Sequence, residues 1–243
     1  MRIQNRLGLI ETAETLLTQE RRMNQVSNNL ANVNTSGFKK ENQTFWEILF
    51  TTASNGQRVG KANRVIIDQS QGSMQETGNP LDMAISGEGL FKIDTPRGIR
   101  YTRNGNFLLN NQGQLITPQG DTVQGEGGAI TITGNDVVIG LDGQVVVDGE
   151  EAGRLAIVRF PEPEDLEKEG ENLLRPKEGG PAEEPAENFT VNQGFLEMSN
   201  VNTVQEMTEM IDLYRAYEIQ QRVIKSIDNL DDQAIRRVGS LAL

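Results

Sequence analysis

A chain without histidine or cysteine has given up the commonest acid–base group, the thiol nucleophile, and the imidazole and thiolate ligands of zinc. What is left for chemistry is Ser–Lys pairs and carboxylate pairs, and neither falls in a recognisable frame here. Gly87-Glu88-Gly89 is the one glycine doublet that resembles a phosphate loop. It is too short for a dinucleotide fingerprint and no helix-like segment follows it, so a β-turn is the expected reading. Ten carboxylates crowd residues 161–187, without the alternating ligands and central glycine of a twelve-residue calcium loop. No cofactor, no metal and no catalytic residue are expected, and an enzyme is the weak reading; a carboxylate-based hydrolase would need two of these acids paired in a pocket.

Charge narrows the partners further. A formal charge of -12 over 243 residues leaves no cationic face to displace counterions from phosphates, so nucleic acid is excluded as a partner. No run approaches the ~18 apolar residues of a membrane span. The opening Met1-Arg2-Ile3-Gln4-Asn5-Arg6 leads into a polar amphipathic stretch rather than an apolar signal core. Passage out of the cytoplasm is therefore expected to use a route without a cleaved signal peptide, which also argues against a secreted adhesin with helical ends.

The elements that must position whatever the chain does are two helices and the strands between them. Leu9, Leu16, Met23 and Leu30 recur every seven residues, flanked by Ile3, Ile10 and Leu17. Near the other end Met210, Leu213, Tyr217, Ile224 and Ile227 form a second stripe, with Val223 and Leu230 on a neighbouring row. Each stripe is either the inward face of an ordinary amphipathic helix or a coiled-coil seam, and its place at an extreme of the chain favours the seam. These nine residues are the expected subunit interface. The first helix should stop in the tract Asn28 to Gly37, where Asn and Gly tolerate left-handed backbone. The second should be capped by Asn202 or Thr203, with Gln205 or Glu206 three places on, and run from about Val204 toward Val238, roughly 50 Å.

Between them the expected order is an irregular linker arm at 38–71, beginning with a short helix around Phe45 to Phe50, and a central β-domain at 72–190. Glycine follows Asn104, Gln112, Gln119, Asp142 and Asp148, each where a hairpin turn needs positive φ. Residues 161–187 hold five of the eight prolines and a net charge of -7, which reads as a solvated loop. The whole is an α+β chain: an N-terminal helix within 1–37, the arm, an antiparallel β-domain carrying that acidic loop, and a C-terminal helix within 191–243, the two helices pairing as a coiled coil.

Four ordered blocks carry a resemblance. Asn28-Asn29-Leu30-Ala31-Asn32-Val33-Asn34-Thr35-Ser36-Gly37-Phe38-Lys39 is similar to the N-terminal signature of bacterial flagellar rod and hook proteins. Gln71 to Ile85 resembles the second block of that family, and Gly87-Glu88-Gly89-Leu90-Phe91 with Tyr101-Thr102-Arg103-Asn104-Gly105-Asn106-Phe107 resembles the third. Gly194 to Asn202, followed by Met210-Ile211 and Arg215-Ala216-Tyr217-Glu218, resembles the C-terminal signature. The short stretch between the first two blocks is most like that of the proximal rod members; a distal rod or hook-like axial protein is the alternative.

The resemblance implies a passive role. Terminal helices would pair into an inner layer, the β-domain would sit outside it, and copies of the chain with other rod subunits would stack into a hollow tube in the basal body that transmits motor torque across the periplasm. It also implies that the uncleaved N-terminal signature, with Asn29, Asn32, Asn34, Gly37 and Phe38, helps direct passage through the flagellar type III export apparatus. For Asn32, Asn34 and Gly37 a helix stop and turn is the simpler account, and the two readings are compatible.

Overall fold

The computed structural model describes residues 2–51, 57–134 and 136–240, with side chains described for 12–44, 64–134, 136–162, 164–230 and 233. The fold is α+β, and the chain divides into two units: residues 1–31 with 202–243, and residues 32–201.

The first unit is helical. Helix α1 spans Arg2–Ala31 and α2 spans Thr203–Ser240, 30 and 38 residues. The start of α2 is fixed by Asn202, whose Oδ1 accepts the backbone N–H of Val204 (3.1 Å) and Gln205 (3.2 Å) while its carbonyl accepts the first helical bond, from Glu206 (3.0 Å). The two helices lie side by side: Arg22 pairs with Glu209 at 2.7 Å, and the buried Asn29 amide donates to Glu206 Oε2 at 3.2 Å. No helix among the described residues is long and apolar enough to cross a membrane.

The second unit is antiparallel β-structure built around the strand Leu90–Thr95. On one side it pairs with Gly98–Thr102; on the other it pairs with Thr122–Gly125 through Ile93 and with Ile157–Arg159 through Phe91. Both faces of this strand are covered, and the pleat sends alternate side chains to different cores. Phe91 and Ile93 join Met83, Ile85, Phe107, Leu115 and Val123; Leu90 joins Tyr101, Val158, Phe160, Leu166 and Leu174. Each core holds a T-shaped aromatic pair, Phe91–Phe107 with centroids 5.1 Å apart and Tyr101–Phe160 at 4.9 Å.

Several expectations are corrected. The stretch 38–71 is not an irregular arm with a helix: it carries a two-stranded hairpin, β1 (Glu41–Thr51) and β2 (Gln57–Ile67), in register from Glu41↔Ile67 to Thr51↔Gln57. Aromatic and branched residues at Phe45, Trp46, Ile48 and Val65 to Ile67 favour strand over helix, and the pairing of β1 with β2 along its whole length decides it. Nor is 161–187 a solvated loop. It holds a 3₁₀ turn, Pro163–Asp165, and a hairpin, Leu166–Gly170 with Leu173–Pro176, that extends the main sheet through Leu173↔Thr102 and Leu174↔Tyr101. Leu166, Leu173 and Leu174 are buried, and this apolar anchor outweighs the charge that composition alone counts.

The helical region expected from residue 191 begins only at Thr203, because Phe189–Gln193 pairs with Met83–Gly87 and Phe195–Glu197 with Met74–Glu76. Of the five turn glycines, four take positive φ: Gly113, Gly120, Gly143 and Gly149. Gly105 does not; it is glycine because a Cβ there would stand 1.6 Å from the Met83 carbonyl oxygen.

Candidate functional site

Within the β-unit the N-terminal signature, the segment around Arg103 and the strand before α2 converge on one buried carboxylate. Glu197 accepts the Lys39 ammonium on Oε1 (2.6 Å) and the Arg103 Nε–H on Oε2 (2.6 Å), with the Gly72 N–H adding a bond to Oε1 at 2.9 Å. The three side chains are only 1–5 % exposed. Two cations against one carboxylate leave an excess positive charge, and backbone carbonyls absorb it. Arg103 donates to Ile85 O (2.7 Å), Gly87 O (2.6 Å) and Gly89 O, and Lys39 to Ser70 O (2.8 Å) and Gln69 O (3.4 Å). Burial pushes the Lys39 pKa below its ordinary value, against the pull of Glu197. Its three N–H directions are nonetheless taken, so the cluster is a lock rather than an acid–base site.

The same carboxylate strand holds the signature backbone. The Gly37 N–H donates to Glu197 O at 2.7 Å, and Lys40 N–H to Asn200 Oδ1 at 2.7 Å; the Asn200 amide in turn donates to Asp68 O and Ser70 O. Gly37 has φ of 69°, and a Cβ there would come within 2.2 Å of the Asn104 backbone nitrogen, so both conformation and space require glycine. Phe38 beside it is buried, with the Lys168 ammonium 3.7 Å from its ring centroid.

The sequence-predicted residues fall into two sets. Gly37 and Phe38 lie at the lock, and Asn32 makes the turn after α1, its carbonyl accepting Thr35 N–H at 3.1 Å and its side chain the Thr35 hydroxyl. Asn34 is exposed, whereas Asn29 is buried in the helical unit beside Glu206. Of the expected interface residues Leu213 is buried, and Leu16, Met23, Leu30, Met210, Tyr217, Ile224 and Ile227 are half-buried. The side chain of Leu9 lies outside the described residues.

Sequence reasoning passed over Lys39, Arg103 and Glu197. Their signal was present: Lys39 and Glu197 are each the lone charge of their block, and Arg103 is the lone charge of the run Tyr101 to Phe107. It also passed over a stripe on α2. Val204, Met207, Ile211 and Tyr214, spaced three, four and three, are all exposed, and Ile219, Val223 and Leu230 continue the exposure farther along. An open groove of about 920 Å³ runs between the helices, lined by Gln19 and Arg22 of α1 and by Gln205, Thr208, Glu209 and Leu213 of α2.

Residues 12–39 match the family described as flagella basal body rod protein, 84–147 the flagellar hook protein FlgE/F/G D1 domain, and 192–237 the flagellar basal body rod FlgEFG protein C-terminal. The flagellar basal-body rod protein FlgG of Bacillus subtilis is 36% identical over 238 residues, covering 86% of this chain and 90% of that one. The flagellar basal-body rod proteins FlgF of Caulobacter vibrioides and Mesorhizobium japonicum are 34% and 31% identical, covering 93% and 91% of this chain and 95% and 93% of their own. This chain belongs to the flagellar basal-body rod protein family. The family is one of structural rod proteins, and each matched segment of this member supplies one residue of the lock: Lys39, Arg103 and Glu197.

Proposed function

We propose that this chain is a structural subunit of the flagellar rod, in its proximal part, which assembles with copies of itself and with other rod subunits and passes motor torque across the periplasm without turnover or cofactor. The observation that carries the reading is the incomplete burial of the helices. Beyond the half-buried seam, a row of apolar side chains from Val204 to Tyr214 faces solvent on a helix of 38 residues. Exposed apolar surface of this kind is stabilised by burial against a neighbour.

In this reading α1 and α2 pair as a coiled coil through Leu9, Leu16, Met23 and Leu30 on one side and Met210, Leu213, Tyr217, Ile224 and Ile227 on the other. The outer stripe of α2 meets the next subunit. Contacts between different patches of successive copies build an open helix when the operator includes a translation, which is the geometry of a shaft. The short segment between the first two signature blocks supports the proximal placement. The lock around Glu197 suits a load-bearing part, since it pins the first and last stretches of the β-unit's own chain with charge-assisted hydrogen bonds.

Export through the flagellar type III apparatus is the second part of the proposal, with Asn32 and Asn34 as its candidates in the signature. Replacing Leu16 or Leu30 with Asp is expected to abolish incorporation into basal bodies while the β-unit stays folded; normal motility in such a strain would remove these residues from the interface. For export, loss of secretion in an Asn32→Ala/Asn34→Ala variant of unchanged stability supports the signal role, and normal secretion leaves them as turn residues.

A further inference from the structure

The acidic segment 161–187 is fastened by charge, and its fastenings differ in kind from the lock around Glu197. Its carboxylates reach out to cations of neighbouring strands: Glu164 to Arg64 of β2, Glu169 to Arg100 and to Arg97 (3.1 Å), Glu183 to Lys92, and Glu184 to Arg159 (2.8 Å). The Tyr101 hydroxyl also donates to Glu183. Glu167 pairs within the segment, to Arg175.

The hairpin tip is built to grip something. Glu171 and Asn172 both take left-handed φ, 51° and 61°, which gives a tight two-residue turn between Gly170 and Leu173. From that turn the Asn172 amide donates to Ser36 O at 2.9 Å, and its carbonyl accepts the Thr102 hydroxyl at 2.9 Å. Lys168 lies over the Phe38 ring and 3.4 Å from Glu41. The segment thus closes over Ser36 to Glu41 and over the edge of the strand Gly98–Thr102.

We propose that residues 161–187 form a latch, seated by the buried Leu166, Leu173 and Leu174 and fastened by these ion pairs, that covers Ser36 to Glu41 and the strand edge at Tyr101 and Thr102, and that opens locally more often when its carboxylates are neutralised while the strands around Met83 to Thr95 stay folded. Most of the fastening pairs are partly open to solvent, with side-chain exposures from 13 to 55 %, so each is weak and screened by salt. The lock has no such access. Opening would uncover Phe38 and take the partner strand from the edge at Tyr101 and Thr102, an edge to which another extended strand can add.

The pH dependence follows from the groups that face each carboxylate. The Arg100 hydrogen bond holds Glu169 below the usual carboxylate range against the effect of burial, with Arg97 and Arg175 adding to it. Burial raises Glu183, but the hydrogen bonds from Lys92 and Tyr101 outweigh it and leave the group below its ordinary value. Arg64 faces Glu164; Arg159 faces Glu184 and also has Glu88 at 3.8 Å. Carboxylates whose pKa is lower folded than unfolded stabilise the closed form fully above the ordinary glutamate value near ~4.3, and lose that contribution as pH falls through the depressed folded values.

Hydrogen exchange read by mass spectrometry on the full chain tests this. At pH 7 the Glu169→Gln/Glu183→Gln variant is expected to exchange on the order of tenfold faster at residues 161–187 and 36–41, with residues 83–95 unchanged. Wild-type protein brought to about pH 3.5, with rates corrected for intrinsic exchange, should show the same regional pattern. The charge swap Lys92→Glu/Glu183→Lys should be slower at the latch than Glu183→Lys alone. Unchanged exchange in the double glutamine variant, equal acceleration of 83–95, or no rescue by the swap would overturn the latch. None of these results depends on assembly, so they leave the proposed rod function to its own tests.

Discussion

In the β-unit Met83, Phe91, Ile93, Phe107, Leu115 and Val123 are wholly buried, while on α2 Ile211 and Tyr214 remain 53 and 55 % exposed. Among the described residues of the two helices only Val26 and Leu213 are buried hydrophobics. The β-unit has completed its core from its own sequence; the helices have covered one side of themselves and left the other bare. The difference teaches how a building block of a filament divides its stability. In the proposed rod, one part supplies a fixed shape from its own core, and the other would gain most of its burial from neighbours.

Three substitutions sharpen that contrast. The largest effect is expected from Glu197→Ala, which leaves Lys39 and Arg103 buried without their carboxylate and should cost roughly 3–5 kcal/mol in denaturant unfolding of the β-unit. A loss under about 1 kcal/mol would mean that carbonyls alone satisfy the two cations. Next comes Asn202→Ala, which frees two N–H groups at the start of α2 and should remove about 1 kcal/mol of helix stability, read as lower helicity at 222 nm with the β-unit's unfolding midpoint unchanged. Smallest for the free chain is Ile211→Asp, within about 0.5 kcal/mol because the side chain is already in water. Its effect should appear only in assembly, as loss of incorporation into rods; a clear loss of stability in the free chain would show that the stripe is covered internally.

What the sequence disclosed follows the range of the forces involved. Helices α1 and α2 were legible because heptad spacing and a local cap such as Asn202 act within a few residues. The hairpin β1–β2 was not: its strands are polar over much of their length, and their pairing joins Glu41 to Ile67 across 26 positions. Residues 161–187 were misjudged for a related reason, since the core that buries Leu166, Leu173 and Leu174 comes from distant strands. Proline and carboxylate counts describe the segment alone, whereas Arg64, Lys92, Arg97, Arg100 and Arg159, which pair with its carboxylates, lie elsewhere in the sequence. For the same cause the lock stayed hidden, since Lys39, Arg103 and Glu197 are separated by 64 and 94 residues and only the fold shows that they share one carboxylate. Gly37, by contrast, lies next to Phe38 in a local turn tract and takes a φ of 69°, whereas its close approach to Asn104 could not be inferred.

Far-UV circular dichroism of the full chain, diluted until sedimentation shows monomer only and then followed as it assembles, tests most directly the claim that the helical ends are completed by neighbours. The account predicts helicity well below that of the 30 and 38 residues of α1 and α2 in the monomer, rising toward it on assembly while the β-signal stays constant. Full helicity in dilute monomer, unchanged by assembly, would contradict it.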